Sequence, residues 1–205
     1  MGFSACCLDI FKACTRDYHA RDEVDAQEQN PYARGTMAAL LYTKHWVDVV
    51  QWHLEDIIRD PEIDAGEALR VKRRIDELNQ WRTELVELLD DRLAKEYEGV
   101  KLQPGARLNT ESLAWAMDRL SILELKLFHM EQESCREGVP ETHVQCCVDR
   151  VAVLAEQQAD LMKAIDQLFE DLRTGRRYVR VYRQFKMYND PMLNPVLYRG
   201  GGTKE

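Results

Sequence analysis

The sequence predicts an all-α protein, an antiparallel bundle of about five long helices with a central buried helix and an extended C-terminal segment. Apolar residues recur at spacings of three and four over most of the chain, and short breaks containing Pro or Gly separate these runs. Strict apolar/polar alternation is confined to one stretch near the C-terminus. A chain of 205 residues suits one domain, which we expect over 1–198, with a disordered tail at 199–205.

The first two helices are defined by their apolar spacing and by the breaks that follow them. Cys7 and Phe11 belong to a run that predicts a helix over about 4–24. The second helix is predicted over about 34–59, because the residue before Pro61 disfavours helical conformation.

A polar stripe follows the second helix opposite its apolar face. Its residues fall within about a third of a turn at 3.6 residues per turn: His45, Asp48, Trp52, Glu55, Asp56 and Arg59. His53 lies at the border between the two faces. A large aromatic residue is unusual on a wholly solvated face, so Trp52 indicates that the stripe is partly covered.

The third helix, predicted over about 65–98 with Asp64 as its N-cap, has an arginine in its apolar seam. A guanidinium in such a position needs a carboxylate or an anionic ligand. We therefore expect Arg82 to be buried and to contact Asp118 or Glu124 of the following helix.

The fourth helix, capped by Asn109 or Thr110, contains a stretch over 114–130 whose apolar residues cover every face. Such a helix is a buried helix, so we expect this stretch to be the least exposed of the bundle. The same stretch carries charged or titratable residues, which predicts a polar system in the core: Asp118, Arg119, Glu124, Lys126 and His129.

The last long helix is predicted over about 141–173, and the pattern changes after Gly175. Between 178 and 188 apolar and polar residues alternate, which is typical of extended chain. We expect this segment to fold back over the acidic helices. Its apolar members should pack on the bundle (Val179, Val181, Phe185, Met187), and its polar members should lie near the stripe (Arg183, Lys186, Tyr188, Asn189).

The composition excludes several classes of protein. A net charge of −8 disfavours general binding to nucleic acids or anionic membranes. The six cysteines show neither a disulfide framework nor a zinc-module spacing, and no apolar run predicts a signal peptide or membrane span. We therefore expect a cytoplasmic protein with reduced thiols.

Histidines and carboxylates in a helical chain suggest a di-metal bundle, which requires Glu-x-x-His turns on two helices. No such turn occurs, and the set His143, Cys146 and Cys147 is more typical of a structural role than of half a metal site. The prediction is therefore that there is no metal site, and the sequence leaves any cofactor undetermined. Basic residues instead favour a pocket for an anion or sugar phosphate, with a purely structural ion-pair network as the alternative.

Four motifs, in the same order along the chain, resemble those of a bacterial protein family. They are Lys44–Pro61, Lys72–Asp76 with Asn79–Arg82, Asp118–Leu123 with Lys126 and His129–Met130, and Tyr182–Pro191. The family is compact, helical and of unknown function, and its genes often lie beside glycosyltransferases of lipopolysaccharide or other surface-glycan loci. The resemblance extends from about 18 to 198, although Trp81 and Leu113 depart from the family pattern.

The resemblance and the charged residues together lead to two hypotheses. The first is an accessory or ligand-binding protein of surface-glycan biosynthesis that recognises a sugar phosphate, a nucleotide-sugar or a partner glycosyltransferase; a homodimer is also allowed. The proposed ligand-binding residues are Lys72, Arg73, Asp76, Asn79, Arg82, Asp118, Arg119, Lys126, Lys186, Tyr188 and Asn189. The alternative is a transferase or hydrolase of a phosphorylated sugar, with a metal-dependent helical-bundle enzyme less favoured. Its acid–base candidates are His45, His53, Glu55 and Asp56.

Overall fold

A computed structural model describes residues 2–187 and 190–199, with side chains as far as Leu197. The predicted all-α bundle is confirmed. The described elements are α1 (Phe3–His19), α2 (Met37–Ile57), α3 (Ala65–Glu96), β1 (Arg107–Leu108), α4 (Leu113–Ser134), α5 (Glu141–Arg173), β2 (Arg177–Tyr178) and the short α6 (Pro195–Arg199). Residues 200–205, which belong to the expected tail, lie outside the described residues.

Helix α4 occupies the centre, because it packs against α1, α2, α3 and α5. Leu120 and Leu127 are buried in it, as the apolar pattern predicts. The prediction that 114–130 is the least exposed stretch is wrong, however. In α2 every residue of 39–50 except Thr43 is buried, whereas Arg119 and Lys126 of α4 reach solvent. The reason is that α2 is enclosed by α1, α3 and α4, while one strip of α4 stays at the surface.

Side chains cap three of the long helices. The Asp64 carboxylate accepts hydrogen bonds from two backbone amides at the start of α3, which confirms the predicted cap. Helix α4 is capped by Ser112, through its bond from Trp115 N, so the prediction of Asn109 or Thr110 is wrong. The longer predicted extent of α1 is also wrong: Asp22 takes a left-handed conformation with φ 55° just after the helix.

The chain leaves α5 at Gly175, where only glycine fits. Its φ is 71°, and an added Cβ would lie 2.3 Å from the Lys101 carbonyl oxygen. Beyond this turn β2 pairs in parallel with β1. Of the extended stretch predicted over 178–188, only its first residue belongs to this strand.

The following residues cross the outer side of α3. Arg183 forms ion pairs with Glu87 and Asp91, and the Lys186 ammonium group donates to the Asn79 carbonyl oxygen at 2.9 Å. Docking of the segment on an acidic helix is therefore confirmed, but the expected position of Arg183 near the stripe of α2 is wrong, because its acidic partners lie on α3.

The expected apolar packing of this segment is only partly correct. Val179 packs against the core, but Phe185 is 88% exposed and Met187 58% exposed. Here the segment lies against the charged outer side of α3, which offers acidic partners rather than an apolar surface. Tyr188 and Asn189 lie outside the described residues. Among the helices that the structure describes, none combines the length and apolar character needed to cross a membrane.

We predict that two truncations of the C-terminal segment differ in their effect. Ending the chain after Gly175 removes β2 and the packing of Val179, so the melting temperature should fall by about 4 °C or more. Ending it after Arg180 keeps both and removes exposed ion pairs, so the fall should stay below about 2 °C. Thermal melts of the two proteins, followed by circular dichroism, make the comparison. Equal falls would contradict this account of the segment.

Candidate functional site

Four charged side chains meet between α2, α3 and α4 and form the charge cluster: Lys44, Asp48, Arg82 and Asp118. The Lys44 ammonium nitrogen lies 2.5 Å from Asp48 Oδ2 and 2.6 Å from Asp118 Oδ1. Two nitrogens of Arg82 donate hydrogen bonds to Asp118, Nε to Oδ1 at 3.0 Å and Nη2 to Oδ2 at 2.5 Å. When all four groups are ionised, the cluster has two positive and two negative charges, which is the condition for burying them together.

A chain of hydrogen bonds extends from this cluster to α1. Ser121 Oγ donates to Asp48 Oδ2 at 2.5 Å and lies 2.7 Å from His45 Nδ1. Since the serine proton goes to the carboxylate, His45 Nδ1 carries a proton and donates to Ser121. Burial lowers the pKa of His45 well below its usual range, and the Lys44 charge lowers it further. The His45 Nε2 atom lies 2.7 Å from Thr15 Oγ1, a hydroxyl that also donates to the Phe11 carbonyl oxygen at 3.1 Å.

One oxygen of the charge cluster lacks a hydrogen bond within the described residues. Arg82 Nε lies 3.1 Å from Asp48 Oδ1 but directs its proton to Asp118, so Asp48 Oδ1 has a nearby charge and no donor. Burial raises the pKa of Asp48, and the Lys44 charge opposes that rise. Gln51 Oε1, one turn along α2, is likewise buried without a donor. A buried acceptor without a donor destabilises the folded state unless a water or another molecule supplies the hydrogen bond.

Both acceptors belong to side chains that line one groove of about 320 Å³, the acidic groove. Its lining is Asp48, Gln51, Trp52, Glu55, Asp56, Arg59, Arg82 and Ile122. The polar stripe predicted on α2 therefore forms most of this groove. Of the predicted stripe only His45 does not line the groove, because its ring is buried in the core.

A second groove of about 520 Å³, the basic groove, lies on the other side of Arg82 and Ile122. Its lining is Arg82, Asp118, Arg119, Ile122, Leu123, Lys126, Gln157, Asp160 and Leu161. Lys126 is exposed and has no ion-pair partner among the described residues. Arg82 Nη1 makes no hydrogen bond within the described part of the chain. These cationic groups remain available to an anion.

The structure brings together only part of the predicted ligand-binding set. Arg82, Asp118, Arg119 and Lys126 line the basic groove, whereas Lys72, Arg73, Asp76 and Asn79 line neither groove. Lys72 and Asp76 pair with each other at the surface of α3. Lys186 lies near Arg82, and burial lowers its pKa, with the Arg82 charge as the second cause.

The predictions for Arg82 need two corrections. Its side chain is 24% exposed rather than buried, because it reaches from the seam to the rim of both grooves. The predicted contact with Asp118 is confirmed, but Arg82 also pairs with Asp48, which was not predicted. Glu124 lies farther along α4 and accepts a hydrogen bond from Gln158 of α5.

The four acid–base candidates do not converge on one point. His45 is buried and bonded at both ring nitrogens. Glu55 faces the acidic groove and pairs with Arg59, while His53 faces a separate groove beside Asp22. Asp56 lies between these two grooves and lines both.

Sequence reasoning missed a histidine cluster. The rings of His19, His53 and His129 come from α1, α2 and α4 and meet at one point. No local spacing signals this meeting, since each helix contributes a single residue.

We predict that Glu124→Gln stabilises the protein at pH 8. Burial raises the pKa of Glu124, so the ionised carboxylate destabilises the folded state once the pH exceeds that raised value. The gain in melting temperature should shrink as the pH falls towards the unfolded pKa of about 4.3, where both states become protonated. Glu156→Gln, an exposed change on α5 at a residue that does not act on Glu124, is the control and should have no effect. A gain of equal size at pH 8 and pH 4 would refute this explanation.

Comparisons with known proteins place the chain in a family without a known activity. Residues 38–181 match the family described as "Protein of unknown function (DUF4254)". No match was found among curated proteins, and none among solved structures. The matched region contains α2 to α5 and therefore both grooves and the charge cluster. Because it covers well over half of the 205 residues, the chain belongs to the DUF4254 family.

Proposed function

We propose that this protein binds a phosphorylated sugar or nucleotide-sugar across the acidic and basic grooves. The observation that carries the proposal is the pair of buried, unpaired acceptors, Asp48 Oδ1 and Gln51 Oε1, beside an arginine with a free nitrogen. Such an arrangement suits a ligand that has hydroxyl donors at one end and an anion at the other.

The basic groove supplies the anion site. Arg82, Arg119 and Lys126 all line it, and a guanidinium group binds phosphate oxygens through paired N–H donors. Arg82 is held in place by its two bonds to Asp118, so its free Nη1 is oriented before the ligand arrives. Lys126 adds a mobile positive charge at the rim.

The acidic groove supplies the hydroxyl site. Asp48 Oδ1 and Gln51 Oε1 are acceptors with no donor within the described residues, and sugar hydroxyl groups are donors. Trp52 provides an aromatic wall in the same groove. The volumes of about 320 Å³ and 520 Å³ lie in the range of small-molecule sites.

The same geometry supports binding over acid–base catalysis. A general base must reach the proton that it removes, and His45 is enclosed by Thr15 and Ser121. His53 and Glu55 face different grooves. An enzyme at this site would have to rely on the carboxylates Asp48, Glu55 and Asp56.

The resemblance described from the sequence supports surface-glycan synthesis as the setting of this binding. Glycosyltransferases use phosphorylated or nucleotide-linked sugars, so an accessory protein that holds such a compound would act beside them. In this proposal the protein retains or presents the sugar donor, and a glycosyltransferase is its partner.

We predict that isothermal titration calorimetry detects binding of glucose 1-phosphate or UDP-glucose, and weaker binding of glucose or inorganic phosphate alone. Lys126→Ala should lower the affinity for the phosphorylated ligands about tenfold, because it removes an unpaired cation from the basic groove. Gln51→Leu should lower the affinity for both the sugar and the phosphorylated sugar, because it removes an oxygen that accepts a hydrogen bond from a sugar hydroxyl.

Lys95→Ala is the matched control, since Lys95 is an exposed lysine in the last turn of α3 and lines neither groove. It should leave every affinity unchanged. Equal losses for Lys95→Ala and Lys126→Ala would mean that binding is a non-specific charge effect. Failure of all four compounds to bind at millimolar concentration would overturn the proposal.

A further inference from the structure

The histidine cluster has the spacing of a metal site. One ring nitrogen from each of His19, His53 and His129 lies within 4.8 Å of the others, and the Nε2 atoms of His19 and His53 are 3.2 Å apart. With metal–nitrogen distances of about 2.0–2.1 Å, two ligand nitrogens of a tetrahedral site are about 3.3 Å apart. One pair already has this separation, and a small rotation of the His129 ring brings in the third.

Two of the rings are anchored so that their unprotonated Nε2 atoms face the cluster, where His19 Nε2 is in hydrogen-bond contact with His53 Nε2. His19 Nδ1 lies 2.7 Å from the Thr15 carbonyl oxygen, and His129 Nδ1 lies 3.2 Å from Gln132 Oε1. Both acceptors require a proton on Nδ1, which leaves Nε2 unprotonated in the neutral ring. An acceptor behind the ring is the usual support of a histidine that binds metal.

The His129 ring carries an independent sign of a missing ligand. Its Nε2 atom is buried and makes no hydrogen bond within the described residues. An orphaned buried nitrogen destabilises the folded state unless something binds it.

Asp22 provides a carboxylate next to the same nitrogens. Its Oδ1 lies 4.0 Å from His19 Nε2 and 3.9 Å from His53 Nε2. The residue is in the left-handed region, with φ 55°, where Asp and Asn are tolerated better than most residues. Asparagine can therefore replace it with little effect on the backbone.

The site is open to solvent on one side. Asp22 and His53 line a groove of about 440 Å³ together with three further acidic residues, Glu23, Asp25 and Asp56. A groove in which four of the eight lining residues are carboxylates attracts cations. From this groove an ion meets His53 and Asp22 first.

We propose that His19, His53 and His129, with the Asp22 carboxylate as fourth ligand, bind a divalent transition metal ion such as zinc. Imidazole nitrogens with one carboxylate are a suitable set for this ion. The ion clamps α1, α2 and α4 where the three helices meet, and its binding does not depend on the proposed sugar ligand.

The competing explanation is that the rings only pack against one another. Tyr18 stacks on His53, and Trp52 stacks on His129 with ring centroids 5.0 Å apart. An aromatic cluster of this kind holds helices together without an ion. The two explanations differ in what a phenylalanine at His129 would do.

The test is titration of the whole protein with Co²⁺ and with Zn²⁺, followed by visible absorption, calorimetry and thermal melts. One equivalent of Co²⁺ should give a d–d spectrum of tetrahedral nitrogen and oxygen coordination without a sulfur charge-transfer band. One equivalent of Zn²⁺ should displace it and raise the melting temperature. His129→Phe keeps the aromatic packing and should abolish the spectrum and the metal-dependent stabilisation while the metal-free protein melts no lower. Asp22→Asn should weaken binding at least tenfold.

Cys147→Ser is the matched control, because it removes a thiol next to His143, a histidine outside the cluster, and leaves the cluster intact. It should not change the Co²⁺ spectrum. The proposal is overturned if Co²⁺ gives no tetrahedral spectrum, if the spectrum shows thiolate ligation that Cys147→Ser removes, or if His129→Phe binds like the parent. Should His129→Phe fail to fold, Asp22→Asn decides, and unchanged affinity in that variant would refute the four-ligand site.

Discussion

Two positive and two negative side chains share the space between α2, α3 and α4, and each is tolerated there because the others neutralise it. Lys44 is enclosed within the core, yet a lysine is almost never fully buried without partners. It has two, Asp48 on its own helix and Asp118 on α4. Arg82 completes the balance from α3. The relative positions of three helices are therefore constrained by charge as well as by apolar packing.

This constraint also explains why a ligand site can exist beside the cluster. Two nitrogens of Arg82 donate to Asp118, and the side chain still reaches the surface. The same residue therefore pairs with a buried carboxylate and lines a groove. Asp48 gives one oxygen to Lys44 and Ser121 and leaves the other without a donor. Among the described residues, Asp48 Oδ1 and Arg82 Nη1 are thus left without a hydrogen bond by a network in which the other atoms of the two side chains are held by hydrogen bonds. In the proposed function, a polar wall fixed in this way would bind its ligand without rearranging.

The sequence predicted the helices well and the site in part. Periodicity and breaks placed α2 to α5 within a few residues, because those signals are local. A charged residue in an apolar seam identified Arg82 and one of its partners, Asp118. Lys44 was not among the predicted site residues, since the pattern of one helix cannot show that a second helix covers it. The histidine cluster was missed for the same reason: its members are distant in sequence, and tertiary packing alone unites them.

A double-mutant cycle on Arg82 and Asp118 tests the central claim most directly. Arg82→Met leaves two carboxylates facing one cation, Asp118→Asn leaves two cations facing one carboxylate, and the double variant restores neutrality. The free energy of unfolding, measured by urea denaturation for all four proteins, gives the coupling. If charge balance holds the three helices together, the double variant should lose less free energy of unfolding than the two single variants lose together. The difference should be at least about 1 kcal/mol. Losses that add to within about 0.5 kcal/mol would show that the two residues act independently, and would contradict the account.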